Sequence, residues 1–323
     1  MPTVDLEIIK KSKQCNEFGG MNSLIQQYIS DKYNGSIQIF TDGSKDPDTG
    51  RTGAAVHIPQ FNVSIIKRTS DHLAVFTVEL LAILLALWWI EEGRSSRCII
   101  CSDSMAALIS ISNGKSTCRP DLVYEVLQSL FKIERMQITV GFLWVPSHAE
   151  VEGNEVVDML AKKALKQDIQ LGVPLSKSEV KTIIKSEINK VWQEQWDREN
   201  KGRFLHRIQR QVVTMRQGCW NRRCEVIITR LCIGHTCLNH SMNIIGKHET
   251  GVCPKCNGRE TVEHVLLQCE AYNLERRELL KNVKALGQTS LTLEGLLSFS
   301  SLRPPAWKHV LSYLKATGLF DRL

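Results

Sequence analysis

The longest apolar run of the chain, residues 80–90, constrains the fold more than any other feature of the sequence. It is too short to span a bilayer, and a charged residue, Glu79, comes directly before it. The wider stretch 74–93 is rich in Leu and Ala and ends at Gly93, which together predict one long helix. Other elements of a folded domain must bury a helix this apolar.

Short strand candidates lie on both sides of this helix. The segments SIQIFTDGS, AAVHI and FNVSIIK precede it, and RCIICSD and MQITVGFLWVPSH follow it. Further helices are predicted at 104–113, from 120 to about 135 and from about 152 to 166. The resulting order, βββαβααβα, predicts an α/β fold with a five-stranded mixed sheet and helices packed on its faces.

Four acidic residues fall where strand ends and helices would bring them together: Asp42, Glu79, Asp103 and Asp158. Asp42 and Asp103 each follow an apolar strand, and an uncompensated charge at Glu79 would be costly inside an apolar helix. Clustered carboxylates repel one another, and their hard oxygen ligands favour magnesium or manganese over zinc. Taken singly, each aspartate also has an ordinary explanation as a turn residue, a helix cap or an exposed helix position.

The combination of motifs carries more information than any single acid. TDGS, the Glu in a Leu/Ala-rich helix, SDS, WVPSH and GNEVVDMLAKKA together resemble type 1 ribonuclease H across residues 36–166. The resemblance implies a ribonuclease H-like fold. It also implies an endonuclease that hydrolyses the RNA strand of RNA/DNA hybrids and leaves 5′-phosphate and 3′-hydroxyl ends.

The same resemblance implies a role for each site residue. Asp42 would bridge two Mg²⁺ or Mn²⁺ ions about 4 Å apart. Asp158 would complete the shell of the first ion, and Glu79 and Asp103 would hold the second. His148, in the loop after the fifth strand, would assist proton transfer or product departure.

Two features depart from the family pattern. The histidine loop is HAEVEGNE, where relatives usually have Gly at the position of Glu150, and the effect of this acid on His148 stays open. Residues 113–130 leave no room for the extra helix and basic protrusion with which some cellular ribonucleases H bind hybrids. Residues 36–168 also hold 13 Lys and Arg against 16 Asp and Glu. The substrate must therefore be held by another part of the chain.

A second motif lies near the end of the chain. Cys253, Cys256, His264 and Cys269 follow the pattern C-x2-C-x7-H-x4-C, and Gly258 supports a tight turn after the first pair. This spacing is typical of a closed, structural zinc site with one ion. The alternative is a set of reduced core cysteines beside a helical His.

The neighbouring sequence extends this second motif. With RLCIGHTCLN before it, CEAYNLER after it and the ending WKHVLSYLKATGLFDRL, the cluster resembles the zinc-binding tail of non-LTR (LINE-like) retrotransposon polyproteins. The resemblance makes a reverse transcriptase a candidate partner. The polymerase itself is absent, because the chain has no room for its palm and no YxDD motif.

Basic charge is concentrated outside the first domain. Residues 169–230 hold 13 Lys and Arg against 6 Asp and Glu, and residues 231–323 hold 11 against 8. Arginines with interleaved aromatics suit phosphate contacts and base stacking. The nucleic-acid-binding residues predicted on this basis are Arg203, Arg207, Arg210, Arg222 and Arg223. An amphipathic helix pair that docks on the catalytic domain explains the aromatics equally well.

The start of the chain and its cysteines bear on its location. MPTVDLEIIKKSK lacks the apolar segment of a secretory signal. We therefore expect an intracellular protein, in the cytoplasm or nucleus, without a membrane partner. Its eleven cysteines are expected to be reduced thiols or metal ligands rather than disulfides.

The sequence as a whole predicts four segments and one leading function. The segments are an N-terminal extension at 1–35, a ribonuclease H domain at 36–168, a basic helical linker region at 169–230, and a zinc-binding tail with C-terminal helices at 231–323.

The leading hypothesis is an active endoribonuclease on RNA/DNA hybrids. One alternative is a retrotransposon-derived nucleic-acid-binding protein without catalysis, against which the four acids argue. The other is a DNA-cutting nuclease of the same broad fold, such as a resolvase or integrase, against which SDS and WVPSH–GNE argue.

Overall fold

The structure is a computed structural model, and two compact units make up the chain: Met1–Lys185 and Ser186–Leu323. No helix in the described part of the chain combines the length and the apolar character needed to cross a membrane. The residues that the structure describes are 2–8, 21–93, 96–147, 149, 151–212, 221–287, 290–298 and 306–323.

The first unit is built on a mixed sheet of six strands in the order β1-β6-β5-β2-β3-β4. Neighbours from β1 to β2 are parallel, whereas β2, β3 and β4 pair antiparallel. The prediction of five strands was wrong by one, because β1 has only two residues and cannot show the alternation by which a strand is recognised. The strands are β1 Val4–Asp5, β2 Ile37–Lys45, β3 Thr52–Ile58, β4 Val63–Arg68, β5 Arg97–Ser102 and β6 Thr139–Trp144.

Within the described residues of this unit, five α-helices and a short 3-10 helix, Pro59–Phe61, accompany the sheet up to residue 164. From β2 onward the elements follow the order βββαβααβα, which confirms the predicted order and the α/β class. The predicted ends of the helices agree with the observed ones to within a few residues. The helices are α1 Met21–Lys32, α2 Val75–Gly93, α3 Met105–Asn113, α4 Pro120–Arg135 and α5 Glu152–Ala164.

The sheet separates two apolar cores. Because successive side chains of a strand point to opposite faces, neighbouring residues of the central strands enter different cores. Ile39 and Ile100 pack with α2, α3 and α4, whereas Phe40 and Ile99 pack with α1 and α5. The sheet is therefore the middle layer between two layers of helices.

Helix α2 is the most deeply buried helix of this unit. Its side chains from Thr77 to Leu87 are all buried, because the sheet lies on one side of it and α3 and α4 lie on the other. Glu79, in the second turn, is only 5% exposed. The apolar run that dominates the sequence thus forms a helix that carries an enclosed acidic side chain in its second turn.

The first unit continues beyond α5. The backbone N–H groups of Gln170 and Leu171 donate to the carbonyl oxygen of Arg68 at 2.9 and 3.0 Å. The N–H of Val173 donates to Ser70 Oγ at 2.7 Å. This segment therefore attaches to the end of β4 before helix α6, Lys177–Arg198, begins.

The second unit is mostly helical. One apolar core joins α8, α10, α11 and α12 to the segment around the Cys/His motif. The tail contains C-terminal helices, as the sequence predicts, and these include α10 and α12. The helices after α6 are α7 Arg203–Ile208, α8 Arg222–Ile233, α9 Asn239–Ile244, α10 Asn273–Lys284, α11 Leu293–Leu297 and α12 Trp307–Ala316.

Candidate functional site

Two of the predicted acids lie where two neighbouring parallel strands stop pairing with each other. Strands β2 and β5 pair in register, with Thr41 opposite Ser102. Asp42 and Asp103 are the next residues, so they stand side by side where β2 and β5 stop pairing. Asp103 directly follows β5 as predicted, whereas Asp42 lies within β2, because β2 continues to Lys45 through its pairing with β3. The residue at the cap position of α3 is Ser104, directly after Asp103, and its side chain makes no capping hydrogen bond.

Glu79 reaches the same edge from helix α2. Within the described residues, Asp42, Glu79 and Asp103 each offer a carboxylate oxygen, and these atoms all lie within 4.8 Å of one another. Gly43 permits this approach, because a Cβ at that position would lie 2.6 Å from the backbone nitrogen of Glu79. The Gly of the TDGS motif is thus needed for the contact between strand and helix.

Two of the three carboxylates, those of Asp42 and Glu79, have raised pKa values. Burial raises the pKa of Asp42 to about 7, and the charges of Asp103 and Asp158 add to the shift. Burial also raises the pKa of Glu79 well above its ordinary value, with the charges of Asp42 and Asp103 as further causes. Glu79 Oε2 is buried and has no hydrogen-bond partner among the described residues.

The buried carboxyl groups of Asp42 and Glu79 require a compensating positive charge. A buried carboxylate without partners costs free energy unless a proton or a cation compensates it. Oxygen donors clustered at this spacing fit a hard divalent cation such as Mg²⁺ or Mn²⁺. The donor set of Asp42, Glu79 and Asp103 therefore fits the metal chemistry that the sequence predicts.

The contact at Gly43 leads to a prediction. We expect Gly43→Ala to lower the free energy of unfolding by about 1–3 kcal/mol, the usual cost of overpacking, because the added methyl group pushes α2 away from β2. The stabilisation of the protein by Mg²⁺ or Mn²⁺ should disappear in the same variant, since Glu79 moves with the helix. Thermal unfolding with and without these ions measures both effects.

Gly172→Ala is the matched control for this substitution. A Cβ at Gly172 meets nothing within 4 Å, so the control should keep the unfolding temperature and the metal response of the wild type. A Gly43→Ala protein with unchanged stability and an unchanged metal response would contradict the account of the site.

The fourth predicted acid is close to this group but not part of it. Asp158 lies on α5, and its charge contributes to the raised pKa values of Asp42 and Glu79. Its Oδ2 accepts a hydrogen bond from Lys162 Nζ at 2.7 Å, one turn further along the helix. His148 and Glu150 lie outside the described residues.

Trp144 supports the site in a way that the sequence reasoning missed. Its indole Nε1 donates to the backbone carbonyl of Asp103 at 3.0 Å and so holds the turn that presents this acid. Trp144 belongs to the WVPSH motif, but neither the spacing nor the composition of that motif indicates a contact with Asp103. Trp144 is the last residue of β6, the neighbour of β5 in the sheet.

The fold and the acidic group agree with a comparison against protein-family models. Residues 34–166 match the RNase H family model. The match covers about two-fifths of the chain and contains Asp42, Glu79, Asp103, Asp158 and His148. The mixed sheet flanked by helices confirms the RNase H-like fold that the motifs predicted.

The Cys/His motif lies outside the RNase H domain. Cys253 Sγ is 3.9 Å from Cys269 Sγ, Cys269 Sγ is 3.6 Å from Cys256 Sγ, and Cys256 Sγ is 3.2 Å from His264 Nε2. Zn–S bonds of about 2.3 Å in a tetrahedron imply sulfur separations of about 3.8 Å. The four donors therefore fit a closed tetrahedral zinc site.

The turn after the first cysteine pair includes Gly258, as the sequence predicts, but another residue adopts the left-handed backbone. Asn257, not Gly258, has the left-handed backbone, with φ of 61°. Gly258 is needed for another reason, because a Cβ there would lie 3.0 Å from the imidazole Cε1 of His264. The N–H of Cys253 donates to the carbonyl of Gly258 at 2.7 Å and closes the turn.

Three of the predicted nucleic-acid-binding arginines make contacts within the second unit. Arg203 donates to the carbonyl of Trp196, and its guanidinium lies 5.7 Å from the centre of that ring. Arg207 pairs with Glu263 at 2.8 Å, and Arg223 donates to backbone carbonyls near the chain end at 3.3 Å. These three guanidinium groups therefore have protein partners within the second unit, and a helix pair docked on the catalytic domain stays an alternative prediction.

The other two arginines are more open to solvent. Arg210 is exposed, and the Arg222 side chain is 85% exposed, 3.7 Å from Glu225. Nucleic-acid binding by the five arginines stays a prediction, and Arg210 and Arg222 are the best placed to test it.

Proposed function

We propose that the RNase H domain is a divalent-cation-dependent nuclease that hydrolyses the RNA strand of RNA/DNA hybrids. The unpaired, buried carboxylate oxygen of Glu79 beside Asp42 and Asp103 is the observation that carries this proposal. The arrangement lowers the stability of the metal-free fold, so packing does not explain it, whereas a catalytic cation site does. The match to the RNase H family model supports the choice of substrate.

In this proposal Asp42, Glu79 and Asp103 hold two Mg²⁺ or Mn²⁺ ions, with Asp158 as a further ligand. Bound there, the cations supply the positive charge that makes a water nucleophilic and stabilises the departing 3′ oxygen, so that the products carry 5′-phosphate and 3′-hydroxyl ends. The RNA strand is distinguished by contacts to its 2′-hydroxyl groups and by the shape of the hybrid, not by base sequence.

The residues of the chain do the positioning. Gly43 allows Glu79 to approach Asp42, and Trp144 holds the backbone of Asp103. Lys162 donates a hydrogen bond to the carboxylate of Asp158, and a cation bound by Asp158 would have to compete with this contact. We assign His148 to proton transfer at the leaving oxygen or to product departure.

A cleavage assay with the full chain tests this function. Labelled RNA/DNA hybrid, duplex DNA and duplex RNA are incubated with the protein in the presence and absence of Mg²⁺. We expect cleavage of the RNA in the hybrid alone, blocked by chelation. Cleavage of duplex DNA would favour the DNA-cutting nucleases of this fold, and hybrid binding without cleavage would favour a binding protein without catalysis.

We further propose that Cys253, Cys256, His264 and Cys269 bind one structural Zn²⁺. The closed set of four donors leaves no coordination position for a catalytic water. The resemblance of this tail to those of non-LTR retrotransposons supports a polyprotein origin and a reverse transcriptase as partner. Faster cleavage of nascent hybrids when a retrotransposon reverse transcriptase is supplied separately would support that partnership, and an unchanged rate would argue against it.

Substrate binding is assigned to the basic surface of the second unit. Each arginine that contacts a phosphate contributes about 0.9 to the slope of log K against log salt on duplex DNA. We therefore expect the double variant Arg210→Ala, Arg222→Ala to weaken hybrid binding and to flatten this slope by roughly 1–2. Fluorescence anisotropy at several salt concentrations measures both quantities.

Arg277→Ala, an exposed arginine on α10, is the control for this double variant. It should change neither the affinity nor the slope by a comparable amount. A double variant that binds like the wild type at every salt concentration would show that these two charges are only a solvated surface.

A further inference from the structure

Glu179 is a buried acid that lies beyond the segment matched by the RNase H family model. It belongs to the first turn of α6, and only 5% of it is exposed. Its Oε1 accepts hydrogen bonds from the N–H of Ala74 and the hydroxyl of Thr77, both at 2.7 Å. These two donors belong to the N-terminus of α2, about a hundred residues earlier in the chain.

The contact closes an otherwise open helix end. The first N–H groups of a helix have no intrahelical partner, and a negative charge there also complements the helix dipole. Burial alone raises the pKa of Glu179, but the hydrogen bonds from Ala74, Thr77 and Ser176 bring it below its usual value. Glu179 is therefore ionised and acts as an external cap for α2.

The same carboxylate joins two further segments to this helix end. Its Oε2 accepts a hydrogen bond from the N–H of Ser176 at 2.7 Å. It also lies 3.6 Å from Nη1 of Arg119, a guanidinium that is 1% exposed and stands directly before α4. Glu179 thus ties the beginnings of α2, α4 and α6 to one another.

The capped turn is the one that leads into the acidic site. Thr77, which donates to Glu179, is two residues before Glu79. On the sheet side, Gly43 contacts the backbone of Glu79 so closely that the helix cannot move inward. The contact with Gly43 and the contact with Glu179 are therefore two separate restraints on the first turns of α2.

We infer that Glu179 is a positioning residue for Glu79, and that residues 170–185, beyond the family match, complete the metal-binding unit of the RNase H domain. This inference rests on the proposed function, because it concerns the cation site of that function. Glu179 touches neither the cation nor the substrate. It acts by holding the helix that presents Glu79.

The test uses the full chain with Glu179→Gln, Glu179→Asp and Thr77→Val. Mn²⁺ binding is measured by calorimetry well below the unfolding temperature of each variant, beside the Mg²⁺ concentration for half-maximal cleavage. Glu179→Gln should weaken Mn²⁺ binding about tenfold, in the range found when residues supporting metal ligands are replaced. The KM for the hybrid should stay unchanged, since the substrate-binding surface is not altered.

The other two variants separate positioning from folding. Glu179→Asp keeps the charge and should recover part of the affinity for Mn²⁺. Thr77→Val removes one hydrogen bond and leaves Glu179 in place, so a smaller loss in the same direction is expected even if Glu179→Gln fails to fold. Glu187→Gln, an exposed acid on the same helix, is the control and should bind Mn²⁺ like the wild type.

The outcomes distinguish the two proposals. If the wild type does not bind Mn²⁺, the proposed function fails and this inference fails with it. If the wild type binds Mn²⁺ and folded Glu179→Gln and Thr77→Val bind it equally well, only this inference is overturned, and Glu179 is a stabilising contact without influence on the site.

Discussion

Asp42→Asn is expected to lower metal-dependent cleavage of hybrid RNA by several orders of magnitude while the protein stays folded. Asp42 lies next to both other carboxylates of the acidic group, so the substitution removes the charge that two cations would share. The amide has nearly the same shape as the carboxylate, which keeps the packing at Gly43 intact. Single-turnover cleavage of a labelled hybrid measures the effect.

The same substitution is expected to stabilise the metal-free protein. Because the pKa of Asp42 is raised to about 7 from an ordinary 3.8, the folded protein keeps a proton that the unfolded chain has already lost between these pH values. The free energy of unfolding should therefore fall as the pH rises from about 4 to 7 and level off above it. Asn cannot ionise, so Asp42→Asn removes the part of this pH-dependent loss of stability that Asp42 causes.

Calorimetry at pH 8 measures the increase in the free energy of unfolding that Asp42→Asn causes. The buffer lacks Mg²⁺ but leaves zinc in place. A gain of 1 kcal/mol raises the unfolding temperature of a domain of this size by roughly 2–4 °C. Asp48→Asn, at an exposed position in the loop after β2, should change neither the activity nor the stability. More than a few per cent of wild-type activity in Asp42→Asn would overturn the assignment of the site.

His148→Ala should slow turnover but leave detectable cleavage, because the histidine does not activate the nucleophile.

Removal of zinc is expected to unfold the second unit. Cys253 and Cys269 are buried in the same core as Val265, Leu266 and Tyr272, so the cluster and the core form together. In small modules a structural zinc ion contributes on the order of 10 kcal/mol, which is comparable to the whole stability of a domain. Loss of the ion should therefore remove much of the helical signal of residues 186–323.

Metal analysis and circular dichroism test this expectation. The wild type should hold one zinc per chain, and Cys269→Ser should lose the ion together with helical content. Cys237→Ser, at an exposed thiol outside the cluster, should keep both. RNA cleavage by the first unit should still be detectable at high enzyme concentration, since the zinc ion takes no part in chemistry. If the second unit had the same unfolding transition with and without zinc, a structural role of the zinc ion would be contradicted.

Local patterns in the sequence predicted the elements that carry the site. An apolar strand segment followed by an acid, as before Asp42 and Asp103, is visible in a few consecutive residues, and so is the apolar run that forms α2. Parallel pairing then brings such strand ends to one edge, which is why the acidic group could be foreseen. The Cys/His motif is also a local pattern, because its four ligands lie within 17 residues of one another. Its spacing therefore indicated a zinc site from the sequence alone.

Contacts between distant segments were decided only by the tertiary structure. Strand β1 is too short to have a pattern, and neither Trp144 nor Glu179 has a sequence neighbour that indicates its partner. The charge of Arg203 or Arg207 likewise does not reveal whether it faces a phosphate or, as observed, a carbonyl or carboxylate of the same unit. Periodicity and turn chemistry report what a residue does within its own element. The partner of a buried charge is set by which elements pack together, and the folded chain alone determines that.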